Sequence, residues 1–259
     1  MRWFGLPGLP PLLACAALIA LWAAAARFFD IAGLPPPGEA LRQVPAILTD
    51  REALLNILDS IRRMAIGFAL AALVAVPLGL MMGRSRAVAA FFNPLLMMIY
   101  PVPKAALMPI IMLWLGIGDA SKTLVIFLGV TLPVIYHSHQ GARAVEEKML
   151  WSAAAMGLGR TARLVRIVLP AALPEIFVGF RTGLVIALIT MVTSEMIARQ
   201  AGVGNILFNS LDMAQYDAVY ATIVIIGALG FLIDAGFERL RTHVIGWAEP
   251  VRDVVAGPA

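Results

Sequence analysis

The chain alternates between long oily stretches and short charged ones. The oily stretches cover residues 11–29, 61–82, 87–115, 123–139, 172–197 and 218–237. Each approaches or exceeds the roughly 20 residues that a helix rising ~1.5 Å per residue needs to cross about 30 Å of hydrocarbon. This pattern predicts an all-α membrane protein with six transmembrane helices. The third stretch carries Pro94, Pro101, Pro103 and Pro109. Each proline deletes a backbone donor and disfavours helix in the residue before it, so a kinked or broken span is expected there. Freed backbone groups persist at membrane depth only where protein or a watery cavity satisfies them. Tyr100-Pro101-Val102-Pro103-Lys104 is therefore a candidate wall of a solute path.

The polar segments predict smaller elements. Between the first two spans, residues 30–60 are polar and proline-rich. Thr49-Asp50-Arg51-Glu52 fits a capping box, with Thr49 and Glu52 meeting free backbone donors. Leu54, Leu55 and Leu58 then predict a short interfacial helix leading into the second span. Between the fourth and fifth spans stands "WSAAAMGLGRTARLVRIVLPAALP", Trp151 to Pro174. Ser152, Ala153, Ala154, Ala155, Gly157 and Gly159 leave little side-chain bulk, so another backbone can approach closely. Arg160, Arg163 and Arg166 recur every third position, which predicts one basic edge. Leu164, Ile167 and Val168 are placed to grip the membrane domain, and Leu169-Pro170 is expected to end the helix. The whole reads as a short amphipathic helix within 146–168, its helical content broken by two glycines, held at the membrane surface. Residue types alone admit two occupants for it, an anionic lipid surface or a protein partner.

Composition agrees with the spans: 61% of residues are hydrophobic and 14% charged, against roughly 45–50% and about 25% in globular chains. Twenty basic and sixteen acidic residues give a net charge of +4, too balanced for a nucleic-acid binder. A single cysteine, Cys15, excludes an intramolecular disulfide and a cysteine metal cluster. Arg2 before the first apolar run, with Ala23 to Ala26 after it, resembles a signal peptide. A retained first helix is the simpler reading in a chain that is otherwise embedded. Placing the N-terminus inside puts eleven basic residues in the cytoplasm and seven outside, the short loop holding Arg84 and Arg86 being decisive. Both termini are then expected to be cytoplasmic.

Candidate chemistry is sparse. Gly116 to Thr123 nearly matches a phosphate-binding loop, but Ser121 occupies the required glycine and no strand precedes it. Asp119 or Ser121 is expected to cap a helix instead. The chain is thus expected to carry no ATP site and to borrow its energy. His137 and His139 point to different helix faces, the 13 methionines are scattered gap-fillers, and no catalytic set has helical spacing. Charges within the spans mark partners or water. Glu195, beside Thr190, Thr193 and Ser194, either lines a path or forms a structural ion pair. Lys104 either meets an anion or pairs locally. Arg181 is expected to contact headgroups or helix ends, and Asp234 to be structural. A rival reading, an autonomous secondary transporter or channel, would use Lys104, Glu195 and Asp234 as a relay. Such transporters pair broken helices, and only the third span here is strongly interrupted by proline.

The positions Ala153, Gly157, Ile167, Leu169 and Pro170 resemble the signature of permease subunits of ATP-binding-cassette importers. That signature reads Glu-Ala-Ala, three residues, Gly, nine residues, Ile, one residue, Leu-Pro; Trp151 replaces its Glu and Ser152 its first Ala. "PLGLMMGRSR", "PVPKAALMPIIMLWLGIGDASKT" and "SEMIARQAGVGNIL" are similar to the nitrate/sulfonate/taurine-type branch. The resemblance covers residues 61–241 and implies a type I ABC importer transmembrane domain (MetI-like) over 60–241. Residues 1–59 would then be a first transmembrane helix and periplasmic segment, and 242–259 a cytoplasmic tail. It further implies a coupling helix that meets a cytoplasmic ATPase through Trp151, Ser152, Ala153, Ala154, Gly157, Arg160 and Arg163. Tyr100, Lys104, Thr190, Ser194 and Glu195 are the path residues this frame leaves. The implied partners are a dimer of ATPase subunits that hold ATP and Mg, a periplasmic solute-binding protein, and a second copy of this chain in the bacterial inner membrane. The chain itself would be no enzyme and bind no cofactor, and its cargo would be a small anion such as a sulfonate, nitrate or aromatic acid.

Overall fold

The computed structural model describes residues 9–29, 31 and 33–248, and every regular element among them is helical. The ends of the chain, including Arg2, Arg252 and most of the expected tail, lie outside the described residues. Helix α1 spans Leu9–Phe28, α2 Pro37–Thr49 and α3 Arg51–Arg84. The third apolar stretch is two helices, α4 (Arg86–Ile99) and α5 (Met108–Leu115), joined through a 3-10 turn at Lys104–Leu107. Next come α6 (Asp119–Ala144), α7 (Glu147–Ala155) and the short α8 (Arg160–Arg163). A π-helical turn at Leu164–Val168 leads into α9 (Leu169–Ala198), and α10 (Val203–Asp212) and α11 (Tyr216–Val244) complete the bundle.

Capping departs from the expected box. The Asp50 side chain, not Thr49, accepts the Ala53 N–H at 2.9 Å and starts α3. The Thr49 hydroxyl turns back to the Pro45 and Ala46 carbonyls at 2.8 and 3.2 Å and closes α2. Leu54, Leu55 and Leu58 therefore lie in the first turns of the span itself, and no separate interfacial helix precedes it. The helix in the proline-rich segment is instead α2, which opens at Pro37 because a first-turn proline needs no donor.

Three helices form the core. Gly67, Ala71, Ala75, Gly79 and Gly83 repeat every four residues along α3, leaving a flat stripe on one face. Helix α6 runs beside that stripe in the same direction. A Cβ on Gly79 would stand 2.5 Å from Ser138 Cβ, and one on Gly83 2.5 Å from Ala142 Cβ. Such small-residue faces let membrane helices approach closely where apolar burial alone gives no drive between them. Helix α9 returns antiparallel across both, and Met64, Ile126, Val130, Val134, Ala187 and Met191 fill the space between. The corner of α1 is pinned by Trp22, whose Nε1 donates to the Pro35 carbonyl at 3.0 Å and whose ring stacks on Tyr220 of α11.

Helices α3, α6 and α11 and the continuous run Arg160–Ala198 are each long and apolar enough to cross a membrane. The pair Arg86–Ile99 and Lys104–Leu115, bent by 80°, passes the same test as one broken span, as the prolines predict. Among the described residues this gives four spans, or five with the bent pair, against the six expected; α1 is a shorter apolar helix whose side chains from Leu12 onward are mostly exposed.

The fifth span differs most from expectation. Leu169-Pro170 does not end a surface helix; the helix runs unbroken from Arg160 to Ala198 over 39 residues. A proline ring inside an α-helix collides with the carbonyl four residues back. The widened turn, in which the Leu169 N–H reaches the Leu164 carbonyl, accommodates Pro170 without a break.

Candidate functional site

The surface segment between α6 and α9 is a helix, a glycine turn and the start of a second helix, rather than one helix over 146–168. Helix α7 stops because Gly157 adopts φ +84°, a left-handed conformation that costs a Cβ-bearing residue about 1–2 kcal/mol. The Leu158 N–H reaches the Ala153 carbonyl and the Gly157 N–H the Ala154 carbonyl, both at 3.0 Å. This pair of bonds satisfies the last carbonyls of α7. Trp151 is 65% exposed, and Ser152, Ala154, Gly157 and Arg160 stand exposed beside it. Ala153 does not share that face: it is 1% exposed and packs into the bundle, because the pitch of α7 turns it inward. Arg163 is half-buried, with Nη1 3.4 Å from the Leu150 carbonyl, so it ties α8 to α7. The expected basic edge is therefore split, with Arg160 and Arg166 outward and Arg163 turned in.

The segment is fastened to the bundle through Arg84. Its Nη2 meets Glu147 Oε1 at 2.6 Å, and its Nη1 lies 3.4 Å from the Ala142 carbonyl. A cleft of about 580 Å³ opens here between Met81, Arg84, Trp151, Arg160 and Leu164.

At the bend of the broken span, Tyr100 is exposed and Lys104 has a local task. Lys104 Nζ donates to the Ile99 and Val102 carbonyls at 2.6 Å each and approaches the Tyr100 carbonyl at 3.4 Å. An ammonium suits these orphan carbonyls and the negative end of the helix dipole of α4.

The opposite end of the bundle holds a buried ionic cluster. Glu195 is 0% exposed and accepts from Arg63 Nη1 at 2.5 Å, from the Ser60 hydroxyl at 2.8 Å and from the Gly204 N–H at 3.0 Å. Arg63 also reaches Asp119 through Nε at 2.6 Å, and Arg62 bonds the other oxygen of Asp119. Asp119 is thus an ion-pair partner, while the Ser121 hydroxyl caps α6 by accepting the Gly118 N–H at 3.4 Å and itself donates to the Gly118 carbonyl at 2.9 Å. Lys122 donates to the Ala201 carbonyl at 2.7 Å, and the Ser60 hydroxyl accepts the Val203 N–H at 2.9 Å. Thr190 and Ser194 are buried, their hydroxyls spent on the Ile186 and Met191 carbonyls. Glu195, Thr190 and Ser194 therefore face the interior of the single chain, and for Glu195 the surroundings are those of a structural ion pair.

Sequence reasoning missed the partners in this cluster because Ser60, Arg63, Asp119 and Lys122 come from distant segments. The one available signal was Arg63 at the edge of an apolar run. Two other pairs were hidden in the same way: Arg181 is bidentate to Asp234 at 2.9 Å, and His137 Nδ1 lies 2.8 Å from Glu175. Lys104, Glu195 and Asp234 each have a different partner and form no chain, which tells against a charge relay. No group of three or more metal-ligating side chains occurs among the described residues.

Apolar helices of membrane length, a proline-broken span and a glycine-punctuated segment exposed between two spans define a polytopic membrane protein. The chain belongs to the family described as the binding-protein-dependent transport system inner membrane component, whose pattern matches residues 75–245. It is 31% identical over 219 residues to the taurine transport system permease protein of Escherichia coli (strain K12), covering 83% of this chain and 80% of that one. It is 26% identical over 244 residues to the nitrate import permease protein of Synechocystis, covering 91% and 88%. In structure it resembles a chain of a methionine ABC transporter in an inward-facing conformation. That match has a TM-score of 0.59 at 15% identity and covers 72% of this chain and 93% of the other. The fold is therefore that of a type I ABC importer transmembrane domain, and the chain is an inner-membrane permease component.

Proposed function

We propose that this chain forms half of the passage of an ATP-driven importer for a small anion of the sulfonate or nitrate kind, delivered by a periplasmic binding protein. The observation that carries the reading is the exposed α7–α8 segment, with Trp151, Ser152, Ala154, Gly157 and Arg160 open to a partner while Arg84 and Arg163 fasten it from behind. Such a segment suits a groove on a cytoplasmic ATPase. Trp151 supplies apolar area where the family pattern has an acid, and Arg160 supplies charge. ATP and Mg belong to that ATPase; this chain contributes no catalytic group and binds no cofactor. Both termini and the α7–α8 segment lie on the cytoplasmic side, and the Arg63 cluster on the periplasmic side. A second copy completes the passage, with the bend at Tyr100 and Lys104 facing it. Taurine, which carries a sulfonate, and nitrate in the names of relatives support a cargo bearing a compact oxyanion group.

The test is Ala154→Arg, at an exposed position with ordinary helical geometry. The variant is expected to insert and purify normally but to lose the ATPase on co-purification and to abolish uptake. Normal co-purification and uptake would remove the assignment. Gly157 is a poorer probe because any side chain there also strains the backbone.

A further inference from the structure

Beside the α7–α8 cleft, and separate from its exposed face, lies a second and more polar cavity of about 570 Å³. One wall is the start of α4, where Arg86, Ala90 and Asn93 recur at helical spacing; the other is the end of α6, with His139 and Arg143 one turn apart. Arg84 and Glu147 close it on the side of α7. The charge is one-sided. Glu147 is the only acid in the lining, and Arg84 already holds it at 2.6 Å. Arg86 and Arg143 make no ion pair among the described residues. Asn93 adds an amide donor. Two guanidiniums without counter-charge across a concave polar cleft match the planar, multidentate recognition of phosphate or sulfonate oxygens.

We infer that this cleft between α4 and α6 is a binding site for a compact oxyanion group, phosphate or sulfonate in chemistry. It is assigned neither by the family pattern nor by the transport reading, and it stands without either. An occupant would also reach Arg84, and so compete with Glu147 for the guanidinium that fastens α7.

Two sources of such a group exist, an anionic lipid headgroup and a free solute, and two measurements on the purified full-length chain in neutral detergent separate them. The first is the thermal midpoint in sodium sulfate and in sodium phosphate against sodium chloride at matched ionic strength. The second is native mass spectrometry of retained phosphatidylglycerol against phosphatidylcholine. Saturable stabilisation by sulfate or phosphate identifies a free anion; selective retention of phosphatidylglycerol identifies a headgroup. In either case Arg86→Gln with Arg143→Gln is expected to weaken binding by about a hundredfold, each lost charge-assisted contact being worth about tenfold. Ala90→Glu, which sets a carboxylate in the cleft at an exposed position, is expected to do the same should the double variant fail to fold. Equal stabilisation and equal lipid retention in the wild type, the arginine variant and Ala90→Glu would overturn the site.

Discussion

The two ends of the bundle use the same residue types in opposite ways. At the Arg63 end, Arg63 and Glu195 are 1% and 0% exposed, and serine, backbone amides and Asp119 surround them. At the Arg84 end, Arg160 and Arg166 stand in the open, and the ion pair of Arg84 with Glu147 is only partly covered. Charge buried beside its counter-charge makes a joint that resists slipping, because separating the pair leaves an unpaired ion in a dry interior. Charge left outside costs little to rearrange and is available to another surface. One end is built to hold and the other to be handled.

That contrast can be broken most sharply at Glu195. Glu195→Ala strands the buried Arg63 guanidinium, and the expected cost is about 3–5 kcal/mol, read as a large fall in the thermal midpoint of the purified chain. Replacing both partners, Arg63→Met with Glu195→Leu, should recover much of the loss. A midpoint unmoved by Glu195→Ala would mean the cluster holds nothing. Gly202→Ala tests the same end from the backbone side. Gly202 sits at φ +125°, and an added Cβ would lie 2.2 Å from Glu195 Cδ. Strain of this kind costs about 1–3 kcal/mol before the clash is counted.

Smaller effects belong to the other end. Gly157→Ala is expected to lose about 1–2 kcal/mol, since φ +84° is disfavoured although nothing lies within 4 Å of the new Cβ. Gly159→Ala, at φ −67° and equally open, should stay within about 0.5 kcal/mol. Equal losses at the two glycines would contradict the turn as described. Smallest of all is Trp151→Ala, a surface truncation with an expected change in stability within about 0.5 kcal/mol. If its thermal midpoint instead falls as far as that of Gly157→Ala, Trp151 is packing rather than a contact surface.

What could be read from residues alone follows the range of the force involved. The break at Tyr100 to Lys104 is local chemistry, since each proline removes its own donor whatever surrounds it. The stop at Gly157 is equally local, since glycine takes φ +84° without the penalty a Cβ would bring. The union of Arg63 with Glu195 joins positions 132 residues apart, and no spacing rule reaches that far. Helix α10 follows Gly202 and, at only 10 residues, is too short to stand out among runs of membrane length. Pro170 misled in the other direction. Its usual effect is to end a helix, and one widened turn cancelled it.

The uninterrupted helix from Arg160 to Ala198 has a mechanical meaning. At ~1.5 Å per residue its 39 residues make a shaft about 58 Å long, with Arg160 near one tip and Glu195 near the other. A twist applied at the near tip meets two soft points, the π turn at Leu164–Val168 and Pro174 one turn beyond Pro170. Under the proposed docking at the Arg160 end, the bolt at Glu195 would be where torque from the opposite membrane face arrives.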